Sequence, residues 1–273
     1  MLIATASMVI ALALAAPPAP TPSPVDPAAT PERHRMRSLR LVAIDPGHGG
    51  DNRGCLGVDG TWEKEATLDI AARVGALLTA QTTARARLTR RDDRPLGLAE
   101  RSQLADRWNA DAFLSIHLNA DAFGQGSGIE TWFLAPPEEE GEGQALVEAE
   151  EHGYADSAPV ERVATQAAEA IARDADLGAA RIASQVLAEA VVEGMGALSG
   201  ARVRGVRQAR FGVLKGATMP AIVVECGFFS HAEEGMRLTE PEYRQRIAQG
   251  IVDGLVAYDA RLGSADAPEE AAR

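Results

Sequence analysis

Apolar and polar positions along this chain follow two alternating periods. Leu39 to Ile44 is a nearly unbroken apolar run, and Pro46-Gly47 with Gly49-Gly50 ends it abruptly, the pattern of a buried strand followed by a tight turn that presents His48. From Glu63 onward Leu68, Ala71, Val74 and Leu78 recur at spacings of three and four, which predicts a helix packed along one face with Glu63 in its first turn. Arg87 to Thr89 reads as a second strand, Leu96 to Trp108 as a second helix, Ala112 to Ile116 as a third strand and Gly128 to Leu134 as a fourth. Ile182, Val186, Ala190 and Leu198 mark another core helix, Ala221 to Val224 a central apolar strand, and Tyr243 to Tyr258 a closing amphipathic helix. Strands alternating with helices predict an α/β fold: a single domain with a mostly parallel or mixed central sheet flanked by helices.

One segment is too long for a simple connection. Residues 136–176 begin Glu-rich and continue Ala-rich, so they are expected to form a helical acidic insertion, with either a purpose of its own or a solvated face. At the amino end, residues 1–16 are apolar and contain Ala11-Leu12-Ala13, which resembles a secretory signal, although no Lys or Arg precedes the run. The run is shorter than the ~20 residues of a spanning helix, so a cleaved export signal is expected and a permanent membrane span is not. Residues 17–36 form a Pro/Ala-rich linker, residues 37–262 the catalytic domain, and residues 263–273 a disordered tail.

Charge narrows the function classes. The chain of 273 residues carries a formal net charge of -12, which argues against nucleic acid as a partner, because phosphate binding needs clustered Lys and Arg. Two cysteines, Cys55 and Cys226, are too few for a disulfide framework. They are compatible with one bridge or with two packed thiols.

The candidate chemistry lies at strand ends. His48, His117 and Glu225 each follow an apolar run, and in open α/β sheets such positions converge on one crevice. With Glu63 they offer two imidazoles and two carboxylates. His48, Glu63 and His117 match the three-ligand set of a catalytic zinc ion, leaving Glu225 as the general base and acid. Each residue alone has an ordinary alternative: a turn histidine, a core histidine, a helix-dipole glutamate. Glu225 is the least easily dismissed, since a carboxylate directly after four apolar residues is costly unless paired.

The motifs carry a family resemblance. Ile44-Asp45-Pro46-Gly47-His48-Gly49-Gly50, Thr61-Trp62-Glu63-Lys64, Ser115-Ile116-His117-Leu118-Asn119-Ala120 and Met219-Pro220-Ala221-Ile222-Val223-Val224-Glu225-Cys226-Gly227-Phe228 resemble the ligand and catalytic segments of the zinc-dependent N-acetylmuramoyl-L-alanine amidases of the division type. Leu118, Cys226, His231 and Asp106 depart from the common pattern without removing a ligand. The resemblance implies one zinc ion and hydrolysis of the amide between N-acetylmuramic acid and L-alanine in peptidoglycan. It also implies substrate contacts at Arg90, Arg101, Asn119, Phe211, Val213 and Leu214. A monomer exported to the periplasm or cell envelope is expected, with an activator protein acting on residues 136–176 if a Glu of that insertion covers the metal. The alternatives are a zinc peptidase acting within the stem peptide and a noncatalytic wall-binding protein.

Overall fold

The computed structural model describes residues 33–136, 143–152, 154 and 178–264 in full, and the backbone of 167–177 and 265. The expected signal, most of the linker, part of the insertion and the end of the tail lie outside the described residues. Six strands, β1 (Leu41–Pro46), β2 (Arg85–Leu88), β3 (Ala112–Asn119), β4 (Ile129–Leu134), β5 (Val203–Ala209) and β6 (Ala221–Phe228), form one sheet in the order β2-β1-β3-β6-β4-β5. The four strands β2, β1, β3 and β6 run parallel; β4 is antiparallel to β6 and parallel to β5, so the sheet is mixed.

Among the described residues six α-helices flank the sheet: α1 (Glu63–Gln81), α2 (Leu98–Arg107), α3 (Gln144–Glu151), α4 (Ala167–Ser199), α5 (Ala232–Thr239) and α6 (Pro241–Ala265). Strand side chains point alternately to opposite faces, and the two faces have different tasks. On one, Val42, Ile44, Leu114, Ile116, Ile222 and Val224 pack against apolar residues of α1, α4 and α6 to form the main core. On the other, Ala43, Phe113, Trp132 and Val223 pack against Ala105 of α2, Val147 of α3 and the Phe211–Leu214 stretch. The same parity places Asp45, Ser115, His117, Asn119, Glu130 and Glu225 on this second face. His117 and Glu225 therefore lie within strands rather than beyond their ends, because an inward-facing polar side chain does not interrupt backbone pairing.

Several elements differ from the sequence reading. In α4 the buried apolar residues are Leu187, Ala188, Ala190, Val191, Val192 and Met195; of the expected positions Ala190 is buried and Val186 packs against the core, whereas Ile182 is 67% and Leu198 40% exposed. An Ala-rich helix is weakly polarised, so its apolar period marks the middle of the buried face and misses its ends. The apolar pattern of the sequence marks neither β5 nor α5. His231 is the N-cap of α5, its Nδ1 accepting from the backbone N–H groups of Glu233 and Glu234, the role a capping Asn would fill. The carboxyl end stays helical through Ala265, past the expected start of the tail. At the amino end, His34 already pairs with Thr82 and Met36 is buried, ahead of residue 37. Asp259 of α6 ties this entry down by accepting the backbone N–H groups of Arg37, Ser38 and Leu39. Among the described residues no helix is long and apolar enough to cross a membrane.

α4 and α6 touch through their backbones. A Cβ added at Gly250 would lie 2.6 Å from Cα of Met195, and one at Gly254 would lie 2.5 Å from Cα of Val191, so only glycine permits this approach. Gly250→Val is expected to destabilise the protein by about 1–3 kcal/mol through overpacking. Urea denaturation checks this, an unchanged midpoint being the contrary result.

Candidate metal centre

The loop after β1 is shaped by two buried arginines. Arg101 donates to the carbonyls of Pro46 (2.7 Å) and His48 (2.7 Å) and pairs with Asp45 at 3.0 Å. Arg90 donates to the carbonyls of Pro46 (3.0 Å), Gly47 (2.7 Å) and Lys64 (2.8 Å). Burial alone would lower the Arg101 pKa, but Asp45 beside it raises it, so the guanidinium stays charged. Asp45 also accepts from Ser115 Oγ and Thr89 Oγ1. These contacts hold His48 at φ 59, a left-handed conformation that costs a non-glycine residue energy and needs outside support. Gly47 is required on steric grounds: a Cβ there would lie 2.5 Å from His117 Nε2.

Three expected ligands converge. His48 Nε2 lies 3.0 Å from Glu63 Oε1, and His117 Nδ1 lies 3.3 Å from the same oxygen. Tetrahedral donors about 2.0–2.1 Å from zinc would be roughly 3.3 Å apart, so these spacings suit one ion. Asn52 Oδ1 lies 2.9 Å from His48 Nδ1, so in the neutral imidazole the proton sits on Nδ1 and Nε2 is left to bind a metal, the usual support of a metal-binding histidine. Glu63, the first residue of α1, accepts from the backbone N–H groups of Cys55 and Leu118, both at 3.0 Å.

A fourth donor comes from the insertion. Glu150, near the end of α3, places Oε2 3.1 Å from His48 Nε2 and 2.6 Å from His117 Nδ1. His48, Glu63, His117 and Glu150 each offer one ligand atom, all within 4.8 Å of one another, and all four residues are buried. His117 Nδ1 has no hydrogen bond of acceptable geometry despite this proximity. An orphaned buried nitrogen facing three other donors is what a metal ion would complete, so the residues fit a divalent cation.

α3 is fastened just after Glu150. Glu151 Oε1 accepts from the Gly212 backbone N–H at 2.5 Å, Asn52 donates to the His152 carbonyl at 3.3 Å, and Tyr154 Oη accepts from the His48 N–H at 2.8 Å. The Tyr154 ring also stacks on His48 and lies under Arg101.

Electrostatics follow from this crowding. Burial opposes charge on both imidazoles, but the surrounding carboxylates overcome it. The pKa of His117 rises to about 9, with Glu150 the leading cause, and that of His48 rises well above its ordinary value, with Glu63 leading. Burial would raise the Glu63 pKa, yet the two histidines hold it well below the usual carboxylate range. Glu225, opposite His117 in the β3–β6 register, has both oxygens buried with no hydrogen-bond partner. Burial, then the Glu150 charge, pushes its pKa well above the usual range.

The remaining expected site residues are not among the four clustered donors. Arg90 and Arg101 are buried and occupied with loop carbonyls, while Phe211, Val213 and Leu214 pack in the second core. Asn119 Nδ2 donates to Glu130 Oε1 at 2.9 Å. Cys55 and Cys226 are free thiols. Asn52, Glu130 and Tyr154 were not singled out by sequence; a polar residue in a turn, at a strand start or in an acidic insertion carries no distinguishing signal.

Comparison with known proteins agrees with this geometry. The sequence profile of the N-acetylmuramoyl-L-alanine amidase family matches residues 42–257. The chain is 31% identical over 226 residues to the probable N-acetylmuramoyl-L-alanine amidase AmiB of Haemophilus influenzae, covering 80% of this chain and 51% of that protein. It is 33% identical to the amidase LytC of Bacillus subtilis, covering 80% of this chain and 35% of that protein. It thus spans about half or less of the length of these two relatives. Among solved structures, the N-acetylmuramoyl-L-alanine amidase from Clostridium difficile 630 superposes with a TM-score of 0.61 at 29% identity, over 81% of this chain and 97% of that one. With its profile match spanning most of the sequence, the chain belongs to the N-acetylmuramoyl-L-alanine amidase family.

Proposed function

We propose that the chain is a zinc-dependent amidase that cleaves the bond between the lactyl group of N-acetylmuramic acid and the L-alanine of the stem peptide, outside the cytoplasmic membrane. The observation that carries this reading is the convergence of His48, Glu63 and His117 beside an unpartnered, buried Glu225. Zinc held by these three residues would supply Lewis acidity toward the scissile carbonyl and a water molecule. Glu225, ionised once the Glu150 charge that raises its pKa is withdrawn, takes the proton of the attacking water on a carboxylate oxygen and returns it to the leaving nitrogen. Its lack of hydrogen-bond partners leaves both oxygens available for that transfer. Its position inside a central strand fixes it relative to His117.

Glu150 stands among the three proposed ligands, and Glu151, His152 and Tyr154 hold it there. We infer that α3 restrains the enzyme and that a partner protein releases it.

The direct test incubates zinc-loaded protein with purified peptidoglycan and identifies products by mass spectrometry. Free stem peptides with an L-alanine amino terminus, lost with EDTA, are expected; sugar-linked truncated peptides would move the cut into the stem. Glu225→Gln should reduce turnover by about 10²–10⁴-fold while zinc content stays unchanged. Loss of zinc in that variant would remove its assigned role. Glu150→Ala should raise peptidoglycan hydrolysis by roughly tenfold or more, as expected from loss of a charge-assisted contact worth ~1.5–3 kcal/mol. Unchanged activity would refute the restraint.

Proton linkage gives an independent check. A metal binds only neutral imidazole, and both histidine pKa values are raised, so zinc uptake at neutral pH should release about two protons per ion. Affinity should climb as pH rises toward 9. In the metal-free protein the His117 contacts contribute full stability below about pH 6.5 and lose it as pH rises through about 9. Calorimetry in buffers of different ionisation enthalpy measures the release, and uptake without proton release would contradict it.

A further inference from the structure

A second charged group lies on the catalytic face, on the two strands beyond that of the general base. Glu130 of β4 is opposite Glu225 in the β4–β6 register and is buried. Its Oε2 receives two guanidinium groups from the edge strand β5: Arg204 Nε at 2.8 Å and Arg207 Nε at 3.5 Å. Residues three apart on a regular strand point to opposite faces. Here the register shifts so that Ile129 pairs with Val203 but Glu130 pairs with Gly205, and Gly205 has φ 100. This bulge turns Arg204 toward the same carboxylate that Arg207 approaches. Arg204 lies over the Phe228 ring at 5.0 Å and Arg207 over Trp132 at 5.7 Å, so both have fixed positions rather than waving in solvent.

The charges do not balance. Two guanidinium groups face one carboxylate, and among the described residues neither forms another ion pair. Arg207 has the longer contact and the more exposed side chain, 34% against 24% for Arg204. Its fork is suited to a planar anion, which it can bind bidentately. Two strand spacings put β5 about 10 Å from β6. A peptide chain covers about 7 Å in two residues, and an arginine side chain bridges the difference.

Resting on the amidase reading, we propose that Arg207, set in place by Arg204 and Glu130, receives a free carboxylate on the stem peptide one residue beyond the released L-alanine, and thereby selects between stem chemotypes. Arg207 then acts in specificity rather than in bond cleavage. Amidation of that carboxylate removes the negative charge and one acceptor, so the modified stem should bind less well.

The experiment uses the zinc-loaded full chain carrying Glu150→Ala, with two soluble N-acetylmuramoyl peptides that differ only in whether the second residue's carboxylate is free or a primary amide. The free acid should be favoured about tenfold in kcat/KM, mainly through KM. Arg207→Gln should abolish this preference by weakening the acid alone, and Arg207→Lys should restore part of it. Equal cleavage of both substrates by the parent, or an equal loss on both in Arg207→Gln, would overturn the proposal while leaving the amidase intact. No cleavage of either substrate by the parent would overturn the amidase reading itself, and this inference with it.

Discussion

Charge neutrality in a dry space governs this structure. Glu63, Glu150 and Glu225 are buried around two imidazoles, and none of these groups can be charged there without compensation. The metal-free protein meets the constraint with protons: both histidines hold theirs well above the ordinary pKa, and Glu225 is pushed toward its neutral form. Two imidazolium charges then oppose Glu63 and Glu150. A divalent cation carries the same charge as the two protons it would displace. The cluster can therefore exchange one arrangement for the other without an unpaired buried charge, which is why the residues fit a divalent ion.

That balance depends on position, and position comes from strand parity. One face of the sheet is apolar but for Thr131, which donates to a carbonyl of α4, and its core with α1, α4 and α6 fixes the register of the strands. The opposite face is apolar only at its lower end and carries Asp45, Ser115, His117, Asn119, Glu130 and Glu225 above. A shift of one residue in β3 or β6 would bury His117 or Glu225 in the main core, so hydrophobic packing on one side enforces catalytic geometry on the other. Arg101 links the two levels. It neutralises Asp45 at the end of β1 and, with Arg90, pins the carbonyls that set the His48 conformation. Both arginines follow the family pattern in sequence, but their contacts here are with the backbone of the site.

The chemistry was legible in the sequence where residue type conflicted with its surroundings. His48 in a glycine-rich turn, His117 and Glu225 after apolar runs, and Glu63 at a helix start all stand out, and the structure brings the three ligands together. The alternation of strands and helices likewise gave the mixed sheet. What stayed hidden had no such conflict. β5 contains two arginines and a glycine, so Val203–Ala209 does not look like a strand until it is seen as an edge with a bulge. The insertion declared its acidity but not which carboxylate reaches inward. Nothing local distinguishes Glu150 from Glu148 or Glu151, because only the docking of α3 against Gly212 and the His48 loop decides it.

The same docking sets how strongly α3 can restrain the site. The hydrogen bonds of Glu151, Asn52 and Tyr154 each contribute about 0.5–1.5 kcal/mol net, and burial of Val147 adds roughly another 1.5–3 kcal/mol. Ordering the segment opposes these gains. A partner that binds the open form more tightly therefore shifts the balance toward release. Tyr154 and Asn52 bind to the His48 backbone and side chain as well as to the lid. Release of α3 therefore removes a carboxylate from the ligand set and frees the loop that presents the first ligand. Because both effects follow from one segment, opening and assembly of a competent metal site are coupled steps rather than separate ones.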